Sequence, residues 1–157
     1  MNKLNCIRFL LSLTFFYCVS GQLSADSSAT DPEAWFRDGY APLWNEQPGE
    51  QLDAMLTYYA AEIVSHRATG EITTDDSAEW LGPSVETWLA EGWLRSELAG
   101  LDVDRVNEST VVFKARWADF YANEPTDYSC GWYLADFFKD AWRFTSYADL
   151  DCSAFDA

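Results

Sequence analysis

The chain has 157 residues, with 26 acidic and 10 basic side chains and a formal net charge of −16. That length supports one domain with a sizeable core and excludes a multidomain enzyme. The charge opposes nucleic-acid backbones and anionic lipid surfaces, both of which need cationic neutralisation.

Met1 to Leu10 carries Lys3 and Arg8 without an acid, and Phe9 to Val19 is almost wholly apolar before small polar residues take over. This order is that of a secretory signal peptide, and the apolar run falls short of the ~20 residues a spanning helix needs. Residues 1–25 are therefore expected to leave after Ala25, with the Val19/Gly21 pair as a competing site. Bulky Phe16 and Tyr17 argue against lipidation at Cys18. The mature product is expected to be periplasmic or secreted, without stable membrane insertion, and to start between Gln22 and Ser27. Eight bases then face 26 acids, a net charge of −18.

Asp31-Pro32-Glu33 places a cap before a first-turn proline. Trp35, Phe36, Tyr40, Leu43 and Trp44 recur at helical intervals, which predicts a helix over Pro32 to Asn45 that Pro42 kinks or interrupts. A turn follows through Glu50, then a short helix from Gln51 to Tyr58 feeding a strand, Tyr59 to His66. Arg67 to Asp76 reads as a polar connection. Trp80, Leu81, Val85, Trp88 and Leu89 share one helical face, with Gly82-Pro83 expected to start the main helix, Leu81 just outside it and Gly92 beyond its end.

The second half reads as antiparallel sheet. Leu101 and Val103 alternate before the turn Asn107-Glu108-Ser109. Val111, Phe113, Ala115, Trp117 and Asp119 then share one face, with Lys114 and Arg116 on the other. Apolar matching pairs Val103 with Phe113 and Leu101 with Ala115. After Pro125-Thr126-Asp127, a strand from Tyr128 to Lys139 turns at Asp140 into Trp142 to Asp149. Centring that hairpin on Ala141 sets Cys130 against Cys152, Trp132 against Leu150 and Leu134 against Ala148, and predicts a Cys130–Cys152 disulfide in an exported chain.

This order of elements resembles the nuclear transport factor 2-like superfamily, with its ketosteroid isomerases and SnoaL-like polyketide cyclases. The likeness covers about 31–151. It is anchored on Tyr40 and Trp44-Asn45, on Leu56-Thr57-Tyr58-Tyr59-Ala60-Ala61-Glu62, on Ser65-His66-Arg67-Ala68-Thr69-Gly70, and on Trp142-Arg143-Phe144-Thr145-Ser146-Tyr147. It implies an α+β fold in which a curved antiparallel sheet forms a cone around N-terminal helices, as a single domain over 31–152. It also implies a cavity at the open end and a homodimer through the outer sheet face.

The same resemblance places Tyr40 at the isomerase tyrosine, Arg67 near the expected base and Leu134 near the expected acidic donor. Arginine stays protonated at any physiological pH and leucine has no proton to give, so the family's isomerisation is disfavoured unless His66 or Asp136 substitutes. Three functions stay open. One is a small-molecule-binding domain for an apolar or aromatic ligand, with Tyr40, Trp44, Tyr59, His66, Trp88, Trp117 and Asp119 around its pocket. Another is an isomerase, dehydratase or cyclase in which Tyr40 and His66 polarise an oxygen and move a proton beside Asp119. The last is a structural or interaction module whose cone is filled with rings. The single His66 and two mature cysteines cannot make a four-ligand zinc site, no acidic run has calcium-loop spacing, and nucleotide-loop and nucleophile-elbow motifs are missing. Neither a metal nor a cofactor is expected.

Overall fold

The computed structural model describes residues 31–67 and 69–155, with Ala154 in its backbone alone. The expected signal peptide, residues 1–25, lies outside the described residues. The protein begins with α1 (Pro32–Ala34), whose Asp31 cap accepts the Glu33 backbone N–H. The helix does not break at Pro42. It widens into a π segment, Trp35–Tyr40, and then tightens into a 3-10 turn, Ala41–Trp44. Proline offers no N–H to the preceding turn, and changing helix pitch is the alternative to interrupting the helix. Phe36, Tyr40 and Trp44 all end on the buried side.

The short helix α2 (Leu52–Leu56) leads into β1 (Tyr59–His66) as expected. The polar connection after it contains a further strand, β2 (Ile72–Asp76), antiparallel to β1. Helix α3 spans Ser77–Ala90, which corrects the expected start at Gly82-Pro83. Asp76 caps it by accepting the N–H groups of Ala78 and Glu79 at 2.9 and 3.2 Å. Leu81 is inside the helix and fully buried, and Pro83 is accommodated near its middle. Gly92, at φ +92°, turns the chain out of α3, a conformation glycine adopts without a Cβ clash.

Four long strands follow: β3 (Trp93–Asn107), β4 (Thr110–Tyr121), β5 (Asp127–Phe138) and β6 (Ala141–Leu150). The six strands make one sheet in the order β2-β1-β6-β5-β4-β3, with β1 parallel to β6 and the other neighbours antiparallel. Val103 faces Phe113 and Leu101 faces Ala115, as apolar matching required.

The β5–β6 hairpin is corrected by two residues. Lys139 and Asp140, both at positive φ, form its two-residue turn, as strand twist favours. Cys130 consequently faces Leu150, Trp132 faces Ala148 and Leu134 faces Ser146. The Cys130–Cys152 disulfide forms nonetheless, with the Cα atoms 5.2 Å apart. After the strand ends, Cys152 enters a 3-10 turn that Asp151 caps by accepting the Ser153 N–H.

The sheet curls around the helical layer and the core is largely aromatic. Phe36 lies 4.9 Å from Phe113 between ring centroids, and Tyr40 lies 4.8 Å from Phe144. Trp80 of α3 packs against Tyr59 and Tyr147. Rings of this size contribute most of the apolar area a short helical layer can bury. The result is an α+β cone, as the sequence implied.

Candidate functional site

Toward the end of the cone opposite the β3–β4 turn, the ring packing leaves an opening of about 250 Å³. Trp44 from the first helical segment, Trp88 from α3, Trp93 from β3 and Trp117 from β4 contribute its indoles. Trp44, Trp88 and Trp93 touch one another with centroids 5.7 to 6.3 Å apart, and Trp117 stands 6.1 Å from Trp44. Tyr121, Tyr133 and Tyr147 add phenol rings from three further strand positions.

One polar chain runs through this wall. Trp93 Nε1 donates to Ser96 Oγ at 3.0 Å, and the Ser96 hydroxyl donates to Asp119 Oδ1. Asp119 is only 8% exposed, and a buried carboxylate needs such a donor to offset its lost hydration. Strand pairing places the acid, since Ser96 faces Asp119 directly. Trp117 Nε1 donates to the Tyr133 hydroxyl at 3.2 Å. The Tyr147 hydroxyl donates to Asp149 at 2.9 Å. Trp44 Nε1 is buried without a hydrogen-bond partner among the described residues.

Gly131 lies under this arrangement. A Cβ there would come within 2.9 Å of the Tyr147 ring and 3.0 Å of the Tyr133 ring. The missing side chain lets both phenols settle against β5. Burial chiefly pushes the Tyr133 hydroxyl above the ordinary tyrosine pKa; the Trp117 N–H opposes it, and Asp119 and Asp149 add smaller increments upward. Burial, then Tyr133 and Asp149, raise Tyr147 as well.

The expected site residues separate into three places. Trp44, Trp88, Trp117 and Asp119 line the cavity. Tyr40 and Tyr59 are nearly or fully buried beneath it, where their hydroxyls hydrogen-bond to each other. Burial chiefly raises both pKa values well above the usual one; Tyr59 and Tyr133 add to the rise at Tyr40, and Tyr133 adds to it at Tyr59 against a lowering by the Tyr40 hydrogen bond, so both phenols stay neutral. His66 is exposed at the end of β1 and lines an adjoining groove with Arg67, Trp80 and Thr87. The groove and the cavity share Trp88, Tyr147 and Asp149. Asp136 accepts hydrogen bonds from Thr110 and Thr145 and lines neither opening. Tyr40 and His66 are thus not brought together with Asp119 in one cavity. Trp93, Ser96, Tyr121, Ser129, Tyr133, Tyr147 and Asp149 are among the contributors that sequence reasoning missed.

No family model and no curated protein matches this chain. Solved structures do. A nuclear transport factor 2-like protein of unknown function from Shewanella oneidensis superposes with a TM-score of 0.57 at 17% identity, over 73% of this chain and 92% of its own. A candidate polyketide cyclase from Xanthomonas campestris gives 0.51 at 16% identity, over 75% and 89%. A candidate scytalone dehydratase from Novosphingobium aromaticivorans gives 0.51 at 9%, over 70% and 74%. At these identities the likeness is one of fold, and the chain has the nuclear transport factor 2-like cone.

Proposed function

We propose that this domain is a binding module that holds a compact small molecule in the indole-walled cavity beside Asp119, outside the cytoplasm and without chemistry of its own. The cavity is the observation that carries this reading: about 250 Å³ is left open where four indoles meet the carboxylates of Asp119 and Asp149. A mostly aromatic recess with a few placed polar groups is the usual form of a small-molecule site. The Cys130–Cys152 bridge supports an oxidising compartment. The filled-cone reading loses support to the same cavity. The isomerase-type reading needs Tyr40, His66 and Asp119 around one ligand, and their separation gives it none. Pairing of two copies through the outer sheet face stays part of the proposal and is tested by sedimentation equilibrium.

The binding reading is tested by saturation-transfer NMR on a mixture of neutral, cationic and anionic small molecules, with wild type and a Ser129→Trp variant. Ser129 is exposed at the mouth, opposite Trp117, so an indole there closes the opening. Compounds whose signal disappears in S129W support the reading. A mixture without binders, or binders indifferent to the plug, refutes it.

A further inference from the structure

We propose that the ligand of this cavity is an organic cation, a quaternary or highly substituted ammonium, held over the indole faces with its charge toward Asp119. This rests on the binding reading above and gives it a chemical class. The first ground is the wall. An aromatic ring presents a negative face, and cations of this kind are held by several such faces at once. Trp44, Trp88 and Trp93 form a contiguous set, with Trp117 against Trp44.

The second ground is charge. Asp119 and Asp149 line the cavity, and among the described residues that line it none is Lys, Arg or His. His66 and Arg67 belong to the adjoining groove. The negative field extends to the rim: after burial, Asp119, Asp127, Glu91 and Glu124 all raise the Tyr121 hydroxyl. With a net charge of −16 on the whole chain, that field favours entry of cations over anions.

The third ground is the direction of the polar hydrogens. The N–H groups of Trp93 and Trp117 and the hydroxyls of Ser96 and Tyr147 are spent on protein acceptors. Those four donors are withdrawn from a ligand, and the charged groups left in the lining are the carboxylates of Asp119 and Asp149. A carboxylate or phosphate ligand would meet two carboxylates and no cationic side chain among the described lining residues, whereas an alkylated ammonium asks for no hydrogen-bond acceptor along its N–C bonds. Such a ligand gives Asp119 a counter-charge beside the neutral Ser96 hydroxyl that donates to it. The cavity lies just below the ~300–1,000 Å³ of most ligand pockets, which suits a compact head group.

The test compares charge at constant shape. Tetramethylammonium, choline and benzyltrimethylammonium are titrated calorimetrically into the wild-type protein beside their carbon isosteres, neopentane-type compounds such as 3,3-dimethylbutan-1-ol. The expected result is at least tenfold tighter binding of a cation than of its isostere, with the preference lost in Asp119→Asn and weakened in Trp88→Leu, both checked for native circular dichroism. Because the isostere comparison is made on wild type, it decides even if D119N does not fold. Isosteres that bind as well as the cations overturn the cation assignment and leave the binding reading standing. Cations that fail while other compounds in the NMR mixture are displaced by S129W do the same. If nothing in that mixture binds, both readings fall together.

Discussion

Replacing Trp117 with alanine measures how much of the cone is packed and how much is open. The ring is 5% exposed and meets Phe36, Tyr40 and Trp44 at centroid distances of 6.0, 6.3 and 6.1 Å. Removing a fully enclosed Trp costs about 3–5 kcal/mol. Part of this ring borders the cavity, where it has no packing partner to lose, so the cost is expected at the low end, about 3 kcal/mol. Of this, roughly 1 kcal/mol belongs to the lost bond from Nε1 to the Tyr133 hydroxyl. Trp117→Phe keeps most ring contacts and is expected to cost about 1–2 kcal/mol. Urea unfolding followed by far-ultraviolet circular dichroism gives both values as midpoint shifts at constant slope. A cost below about 1 kcal/mol for the alanine variant would remove Trp117 from the wall. A cost above about 5 kcal/mol would mean close packing on every side, and no cavity.

Three further outcomes are expected. Reducing the Cys130–Cys152 bridge, which spans a sequence separation of 22, is expected to lower stability by about 3 kcal/mol, and mass-spectrometric mapping should find both cysteines resistant to alkylation until a reductant is added. Asp76→Ala removes the acceptor of two α3 amides and is expected to cost about 1 kcal/mol in the same urea assay, with no loss if α3 began at Gly82. Tyr40, Tyr59, Tyr133 and Tyr147 all have raised pKa values in the fold, so the folded state keeps protons that the unfolded chain releases above pH ~10. Their contribution is complete below that pH and is lost as pH rises further, and absorbance at 295 nm should show these phenols ionising together with alkaline unfolding rather than before it.

The parts of the fold that were legible are those where one face is apolar and the other is not. β4 alternates Phe113, Ala115 and Trp117 against Lys114 and Arg116, and its register with β3 followed from that contrast. β5 offers no such contrast, because Cys130, Trp132 and Leu134 alternate with Gly131, Tyr133 and Ala135, and either set reads as a core face. The buried inner face is the second set, which hid Tyr133. The β5–β6 turn is legible at Asp140, but its centre is not, since Lys139 and Asp140 lack the Gly or Asn that marks a two-residue hairpin. β6 then changes phase at a bulge beside Thr145, so a strand that buries Trp142 and Phe144 goes on to present Tyr147 and Asp149 to the cavity. At α3 the Gly82-Pro83 pair sets the expected start, and Asp76 reads in the sequence only as the end of a polar connection. In the structure the cap and the burial of Leu81 prevail.

The placement of Ser96 beside Asp119 comes from β3, and the sequence holds a signal for it. Uniform alternation back from Leu101, which faces buried Ala115, would turn Ala99, Glu97 and Arg95 inward. That would bury two charges, one of them opposite Asp119. Instead the strand slips by one residue between Leu98 and Gly100, and again between Trp93 and Arg95. The bulges turn Leu98, Ser96 and Trp93 inward, while Arg95 and Glu97 pair with each other near the surface. A bulge disturbs the ladder locally, which costs less than burying unpaired charge. The two phases make opposite predictions for adjacent residues. In the observed phase, Ser96→Ala strips Asp119 of its donor and Trp93 Nε1 of its acceptor, a loss of about 1–3 kcal/mol. Glu97→Ala, at an exposed position, is expected to stay within about 0.5 kcal/mol of wild type. If Glu97 proves the costly position and Ser96 the neutral one, the bulges are misplaced, and the wall around Asp119 with them.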